Sequence, residues 1–161
     1  MKPSWFGLCL FFACAAGHAA QPVLSPQGYG AVTFGMPLSA AEKRLGKARD
    51  LSTESDACYY VEFAQYPDLR FMIEKGMVER AEAEVSLANS AGVRLGATVE
   101  QIKRRYPHAR IRPHKYDEAG QYVILPTRDG RAALLFEASG GVTSRIRAGR
   151  EPAVEYVEGC L

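Results

Sequence analysis

The chain is predicted to be an α+β protein of two tandem units, each a short helix packed on an antiparallel β-sheet. Three observations carry this expectation. A short pattern, "FGMPLSAAEKRLG" at 34–46 and "LGATVEQIKRRYP" at 95–107, occurs twice at an offset of 61 positions. Each copy places apolar residues at helical spacing. Each is followed by alternating apolar segments broken by turn residues, the pattern of antiparallel strands.

The chain opens with Lys2 and then an apolar stretch from Trp5 to Ala16, too short to span a bilayer, which takes about 20 residues. Gly17 and Ala19 follow in the small-residue places of a cleavage site, so 1–20 reads as a signal peptide. Acylation of Cys14 as a lipoprotein is not expected, because "FFAC" puts Phe where such signals carry a small aliphatic residue. No other segment is apolar enough to span a membrane. The expected location is periplasmic or secreted. Residues 21–90 form the first unit and 91–161 the second, within one compact domain.

In the first copy Leu38, Ala41 and Leu45 share a helix face, Ser39 and Glu42 have the spacing of a capping box, and Gly46 suits the C-terminal stop. The strands expected next are "CYYVEF", with Tyr59, Val61 and Phe63 on one face, "LRFMIE", and "MVERAEAEV" after a turn at Lys75-Gly76. "SLANSAG" (86–92) is polar enough to be the junction. In the second copy Val99, Ile102 and Tyr106 repeat the face, Thr98 and Gln101 supply the box, and Pro107 stops the helix. Strands are expected over "ARIRPHKY", "QYVILPT", "RAALLFEA", "VTSRIRAG" and "AVEYVEGC", with hairpin turns at Asp129-Gly130 and Gly140-Gly141. Beyond Val78 and Val142 the alternation of the two copies disagrees in parity.

Cleavage removes Cys9 and Cys14 and leaves Cys58 and Cys160, which an oxidising compartment would pair. That bond closes a loop of about 100 residues, worth up to about 4.7 kcal/mol by loop-closure entropy. After Ala20 the chain carries 19 Lys/Arg and 18 Asp/Glu, the first unit mildly acidic and the second mildly basic. This balance argues against bulk nucleic-acid binding.

The residues Phe34, Gly35, Met36, Leu45 and Gly46, echoed at Leu95, Gly96 and Thr98, resemble the repeat of the secreted β-lactamase inhibitor protein family. They also resemble the small lipoprotein of the outer-membrane barrel-assembly machinery, and "PHKYDEAGQYV" and "AGREPAVEYVEGC" look like uncharacterised exported proteobacterial proteins. The chain departs from the repeat with Pro37 where Thr is usual, and with no second helix after Gly46. The resemblance implies a binding scaffold without naming a target.

No catalytic motif stands out. No metal site is expected from His108 and His114, which lack a third ligand, and no cofactor is implied. No G-x-S-x-G marks a serine nucleophile. Glu82 and Glu84 share a strand face and read as a solvated acidic surface rather than as a glycosidase pair. The basic stretch "KRRYPHARIRPHK" supplies the candidate contact residues: Arg104, Arg105, Arg112, His114, Lys115 and Tyr116. The function expected is an exported, non-catalytic binding protein acting through a protein–protein surface, as an inhibitor or envelope accessory factor. Its partner would be an envelope or secreted protein, or an anionic surface or glycan. The alternatives are a lectin-like glycan module using the Tyr and Arg residues of the sheet, and an envelope hydrolase.

Overall fold

The computed structural model describes residues 21–51 and 57–160. The expected export signal and Cys14 lie outside them. In chain order the elements are β1 (Gly28–Tyr29), β2 (Val32–Thr33), α1 (Leu38–Leu45), β3 (Arg49–Asp50), β4 (Cys58–Glu62), β5 (Arg70–Glu74), β6 (Met77–Ala83), α2 (Val99–Arg105), β7 (Arg110–Pro113), β8 (Gln121–Pro126), β9 (Ala132–Ser139) and β10 (Val142–Arg150). The fold is mixed α+β, as expected, and most of it is one antiparallel sheet of eight strands in the order β3-β4-β5-β6-β10-β9-β8-β7. Strands from before and after the junction meet where β6 pairs with β10, in the register Glu82↔Arg147 and Arg80↔Gly149. β1 and β2 form a separate two-stranded hairpin.

Period-two alternation divides the sheet into two faces. One carries Val61, Phe71, Ile73, Leu134, Phe136 and Ile146, all buried. Each fully buried Phe there contributes about 2–3 kcal/mol. Both helices belong to this core, through Ala41 and Leu45 of α1 and Val99 and Ile102 of α2.

The two lead-in loops dock in the same way. The Gly35 N–H donates to Val78 O (2.7 Å) and the Val78 N–H to Met36 O (2.9 Å). In the second copy Gly96 donates to Thr143 O (2.7 Å) and Thr143 to Ala97 O (2.9 Å). Gly35 and Gly96 have φ of 86° and 89°, a region in which a Cβ is strained, so glycine fits both places. From the ends of the helices Arg44 donates to Ala31 O (3.0 Å) and Arg105 to Gly92 O (3.2 Å).

The turns at Lys75-Gly76 and Gly140-Gly141 have positive φ at both residues, as tight hairpins require. Just past each turn the strand holds one extra residue: Glu79 between Val78 and Arg80, and Ser144 between Thr143 and Arg145. The lead-in loops make Val78 equivalent to Thr143 and not to Val142, and each bulge follows by one residue, so the two copies stay in phase once Val78 is matched to Thr143.

Two local expectations are corrected. Pro37 is the N-cap of α1 and no side chain caps it. Ser39 is therefore already inside the helix, and Glu42 instead accepts from the Ala48 N–H (3.2 Å) and pairs with Lys47 (3.0 Å). The Thr98–Gln101 capping box is present in both directions. The segment "AVEYVEGC" is not a strand. Ala153–Glu155 form a single 3₁₀ turn and the rest is irregular. Its carbonyls are taken by arginine side chains instead of a neighbouring strand.

Candidate functional site

Among the described residues no α-helix covers the second face of the sheet. It carries Tyr60, Met72, Arg80, Glu82, Glu137, Arg147 and Tyr122, aligned across strands by Tyr60↔Met72↔Arg80 and Arg70↔Glu82↔Arg147. Arg80 and Arg147 are only 1% and 2% exposed. Burying a guanidinium costs several kcal/mol unless a carboxylate and further acceptors surround it, and here they do. Arg80 Nη2 donates to Glu82 Oε2 (2.9 Å) and to the Tyr60 hydroxyl. Arg147 Nη2 donates to Glu137 Oε2 (2.8 Å), and its Nε lies 3.6 Å from Glu82. Arg70 reaches the other Glu82 oxygen at 3.1 Å, and Arg145 joins Glu84 to the edge of Glu137. Cation and carboxylate thus alternate across the middle of the sheet. Burial, and then the neighbouring charge of Arg80, pull the Arg147 guanidinium pKa down, while Glu82 and Glu137 oppose that pull. Burial raises the Tyr60 phenol. Gly149, opposite Arg80, leaves the room this side chain needs, since a Cβ there would meet Arg80 Cβ and Glu79 O.

The Nη1 groups of both arginines donate to the polypeptide laid over this face, residues 151–160, called here the strap. Arg80 Nε and Arg147 Nε are buried without a hydrogen-bond partner among the described residues. Arg80 Nη1 donates to Ala153 O (2.9 Å) and Tyr156 O (2.8 Å), and Arg147 Nη1 to the same Tyr156 O (3.2 Å). Val154 is fully buried with Tyr122, Ile124, Ala133 and Leu135. Glu155 pairs with Arg110 (2.5 Å) and Arg112, and Glu158 with Lys115 and the Tyr116 hydroxyl. The strap ends in the Cys58–Cys160 disulfide, Cα–Cα 5.2 Å, as the cysteine count predicts. Open grooves flank it. One of about 570 Å³ is lined by Arg110, Arg112, Arg128, Thr127, Glu151 and Glu155, and one of about 550 Å³ by Cys58, Glu74, Lys115 and Tyr156–Cys160.

The six residues singled out in the sequence do not lie together. Arg104 is exposed at the end of α2, in the helix layer, and Arg105 beside it is tied to Gly92 O and lies over the Tyr106 ring at 5.7 Å. Arg112, Lys115 and Tyr116 lie on the strap side and hold its carboxylates. Tyr116 still remains 68% exposed. Pro107 ends the helix, and the alternation of β7 then turns Arg110 and Arg112 to the face away from α2. His114 stacks on Tyr122 (centroids 4.7 Å apart). Its Nδ1 accepts from the Tyr116 and Asp117 N–H groups at 3.1 Å each, which leaves its Nε2–H to donate to Glu137 (3.1 Å).

Sequence reasoning misses the centre of the site. It places Glu82 on a solvated face, whereas Glu82 is 5% exposed. Only its neighbour Glu84 is solvated. The available signal is that Arg80 and Glu82 fall two apart on one strand face with opposite charges, to which the β6–β10 pairing adds Arg147.

The arrangement does not make a hydrolytic triad of Ser139, Asp117 and His114. The Ser139 hydroxyl donates to Asp117 (2.7 Å), whose carboxyl pKa that bond lowers, and both histidine nitrogens are engaged elsewhere. Among the described residues no group of three or more His, Cys, Asp or Glu stands close enough to hold a metal ion, and no helix is long and apolar enough to cross a membrane. The chain matches no protein-family model, no curated protein and no solved structure.

Proposed function

We propose that the protein is an exported binding protein that works through a protein–protein surface, on a scaffold of two tandem helix-and-sheet units. One observation carries the reading. The most elaborate polar assembly of the molecule, Arg80, Glu82, Arg147 and Glu137, is directed at a stretch of polypeptide, gripping its carbonyls and leaving its carboxylates to Arg110, Arg112 and Lys115. The tandem-unit description is supported by the matched docking of Gly35 and Gly96 and of Arg44 and Arg105. It agrees with the resemblance to inhibitor and assembly scaffolds noted in the sequence.

The test is affinity capture from an envelope extract with the disulfide-intact protein. It is run beside an Arg104→Gln variant and an Arg112→Gln/Lys115→Gln variant. A partner retained by one variant and lost by the other assigns the contact to the helix layer or to the strap side. Capture no better than a blank resin, together with turnover of peptidoglycan that His114→Ala abolishes, would replace this reading with the hydrolase. The glycan reading relies on the Tyr and Arg side chains of the sheet, and the strap lies over that face. A glycan array with the intact protein tests it directly.

A further inference from the structure

Residues 151–160 meet the sheet as a ligand meets a receptor. Two buried arginines bind the main-chain carbonyls of Ala153 and Tyr156, which one 3₁₀ turn brings together, a contact that needs no particular side chain. Specificity comes from three side chains in fixed spacing: Val154 in the pocket of Tyr122, Ile124, Ala133 and Leu135, then Glu155 and Glu158 on three basic residues. With the strap away, the Arg80 and Arg147 donors that face it and the Val154 pocket stand open to a second segment of the same chemistry. Among the described residues the covalent restraint on the far end of the strap is the Cys58–Cys160 bond, which lines an open groove of about 550 Å³.

Building on the binding-protein reading, we propose that this face is a peptide-binding site occupied in cis by the strap. Its ligand in trans is an acidic segment of a partner protein that makes the same single turn and has the pattern apolar-acid-x-x-acid. The site opens when an external dithiol reduces the disulfide. In that step one thiolate of the dithiol attacks a sulfur of the Cys58–Cys160 bond and forms a mixed disulfide, releasing the other cysteine as thiolate. The second thiol of the reductant then closes on its partner and frees the remaining cysteine. Two electrons pass from the dithiol to the protein bond.

The experiment uses the full chain with Cys160→Ser and a synthetic peptide Glu-Pro-Ala-Val-Glu-Tyr-Val-Glu-Gly-Cys carrying thionitrobenzoate on its sulfur. The Cys58 thiolate attacks the peptide sulfur, and thionitrobenzoate leaves with the electron pair and is read by its absorbance. Mass spectrometry maps the adduct to Cys58. The strap-sequence peptide should react about tenfold faster than a scrambled peptide, and about tenfold faster than one with Gln at both positions equivalent to Glu155 and Glu158. Arg112→Gln in the protein should erase much of that difference. Equal rates for the three peptides overturn the proposal. If Cys160→Ser does not fold, fluorescence anisotropy with a serine-ended peptide on the oxidised Glu155→Gln/Glu158→Gln chain, whose disulfide is intact and whose strap is weakened, reads the same preference, and no dependence on peptide order overturns it there too. A reduced protein that runs as a dimer, with peptide capture abolished, assigns the face to the strap of a second copy and also overturns it. An envelope partner that the oxidised protein captures through Arg104, combined with peptides that react equally, leaves the binding reading standing and removes this one.

Discussion

The two faces of the sheet are closed by opposite means. The helix face is sealed by Phe, Val, Ile and Ala against two short helices, each docked by hydrogen bonds from its own lead-in loop onto a nearby hairpin. The strap face is sealed by a segment from the far end of the chain, held by buried guanidinium and carboxylate groups and one disulfide spanning 102 positions. Apolar packing is non-directional and tolerates adjustment. A buried ionic network is directional, and each partner removed leaves a polar group uncompensated. The first face can lose a methyl group and stay closed. The second depends on contacts that, among the described residues, the strap alone supplies.

The largest expected effect is therefore on the strap. Cys160→Ser should lower stability by about 3–5 kcal/mol, because the unfolded chain regains the freedom of a loop of about 100 residues. Urea unfolding of the variant beside the oxidised wild type measures it, and wild type in reductant should match the variant. A loss below about 1 kcal/mol would mean that the ion pairs alone hold the strap.

Arg80 comes next. Arg80→Ala should cost about 3–5 kcal/mol, since it opens a cavity and takes from Glu82 its closest cation and from Ala153 O and Tyr156 O a shared guanidinium donor, leaving Arg70 and Arg147 to compensate in part. Arg80→Met, which fills the volume without the charge, should lose as much if hydrogen bonding is what matters and far less if packing is. On the helix face Ile73→Val should cost only about 1 kcal/mol.

The contrast between the faces also separates what can be read from the sequence from what cannot. The helices at Leu38–Leu45 and Val99–Arg105, the strands from Cys58 through Arg150 and the hairpin at Gly140-Gly141 follow from spacing and turn chemistry, which are local, whereas the two-residue strands β1, β2 and β3 carry no such signal. The disulfide follows from counting cysteines under an assumed oxidising compartment. The site is legible only in fragments. Arg112, Lys115 and Tyr116 stand out by charge, yet their partners Glu155 and Glu158 lie more than 40 residues away, in a segment whose apolar alternation suggests a strand. Arg80 and Glu82 look like surface residues because only tertiary pairing makes their burial tolerable. The two bulges, at Glu79 and Ser144, hide the phase of β6 and β10, the strands that carry the arginines.

A smaller effect sharpens the comparison within the helix layer. Thr98→Ala should cost about 1 kcal/mol, because it removes the side-chain acceptor for the Gln101 N–H (3.1 Å). Ser39→Ala should be neutral within about 0.5 kcal/mol, since Pro37 and not Ser39 precedes the first turn of α1. Thermal unfolding of both variants decides it, and equal losses would contradict the cap assignment.

The smallest effect lies where the strap leaves β10. The Glu151 carboxyl is held above the usual carboxylate range by burial first, then by its hydrogen bond with Glu155 and by the charge of Glu155, with Arg110 opposing. A raised folded pKa means that the native state binds a proton more tightly than the unfolded chain does. The resulting stabilisation is present in full below the ordinary carboxylate range and is lost as pH rises through the raised value. At neutral pH Glu151 is therefore an ionised group beside a like charge, and glutamine keeps a hydrogen-bonding side chain there without that charge. Glu151→Gln should match wild type near about pH 4 and exceed it near about pH 7, by no more than about 0.5 kcal/mol once solvent screening is allowed for. Urea midpoints at the two pH values measure the gap. A variant less stable than wild type at neutral pH would mean that the Glu151–Arg110 contact at 3.4 Å outweighs the repulsion from Glu155, and that the ionic grip on the strap begins one turn earlier than Glu155.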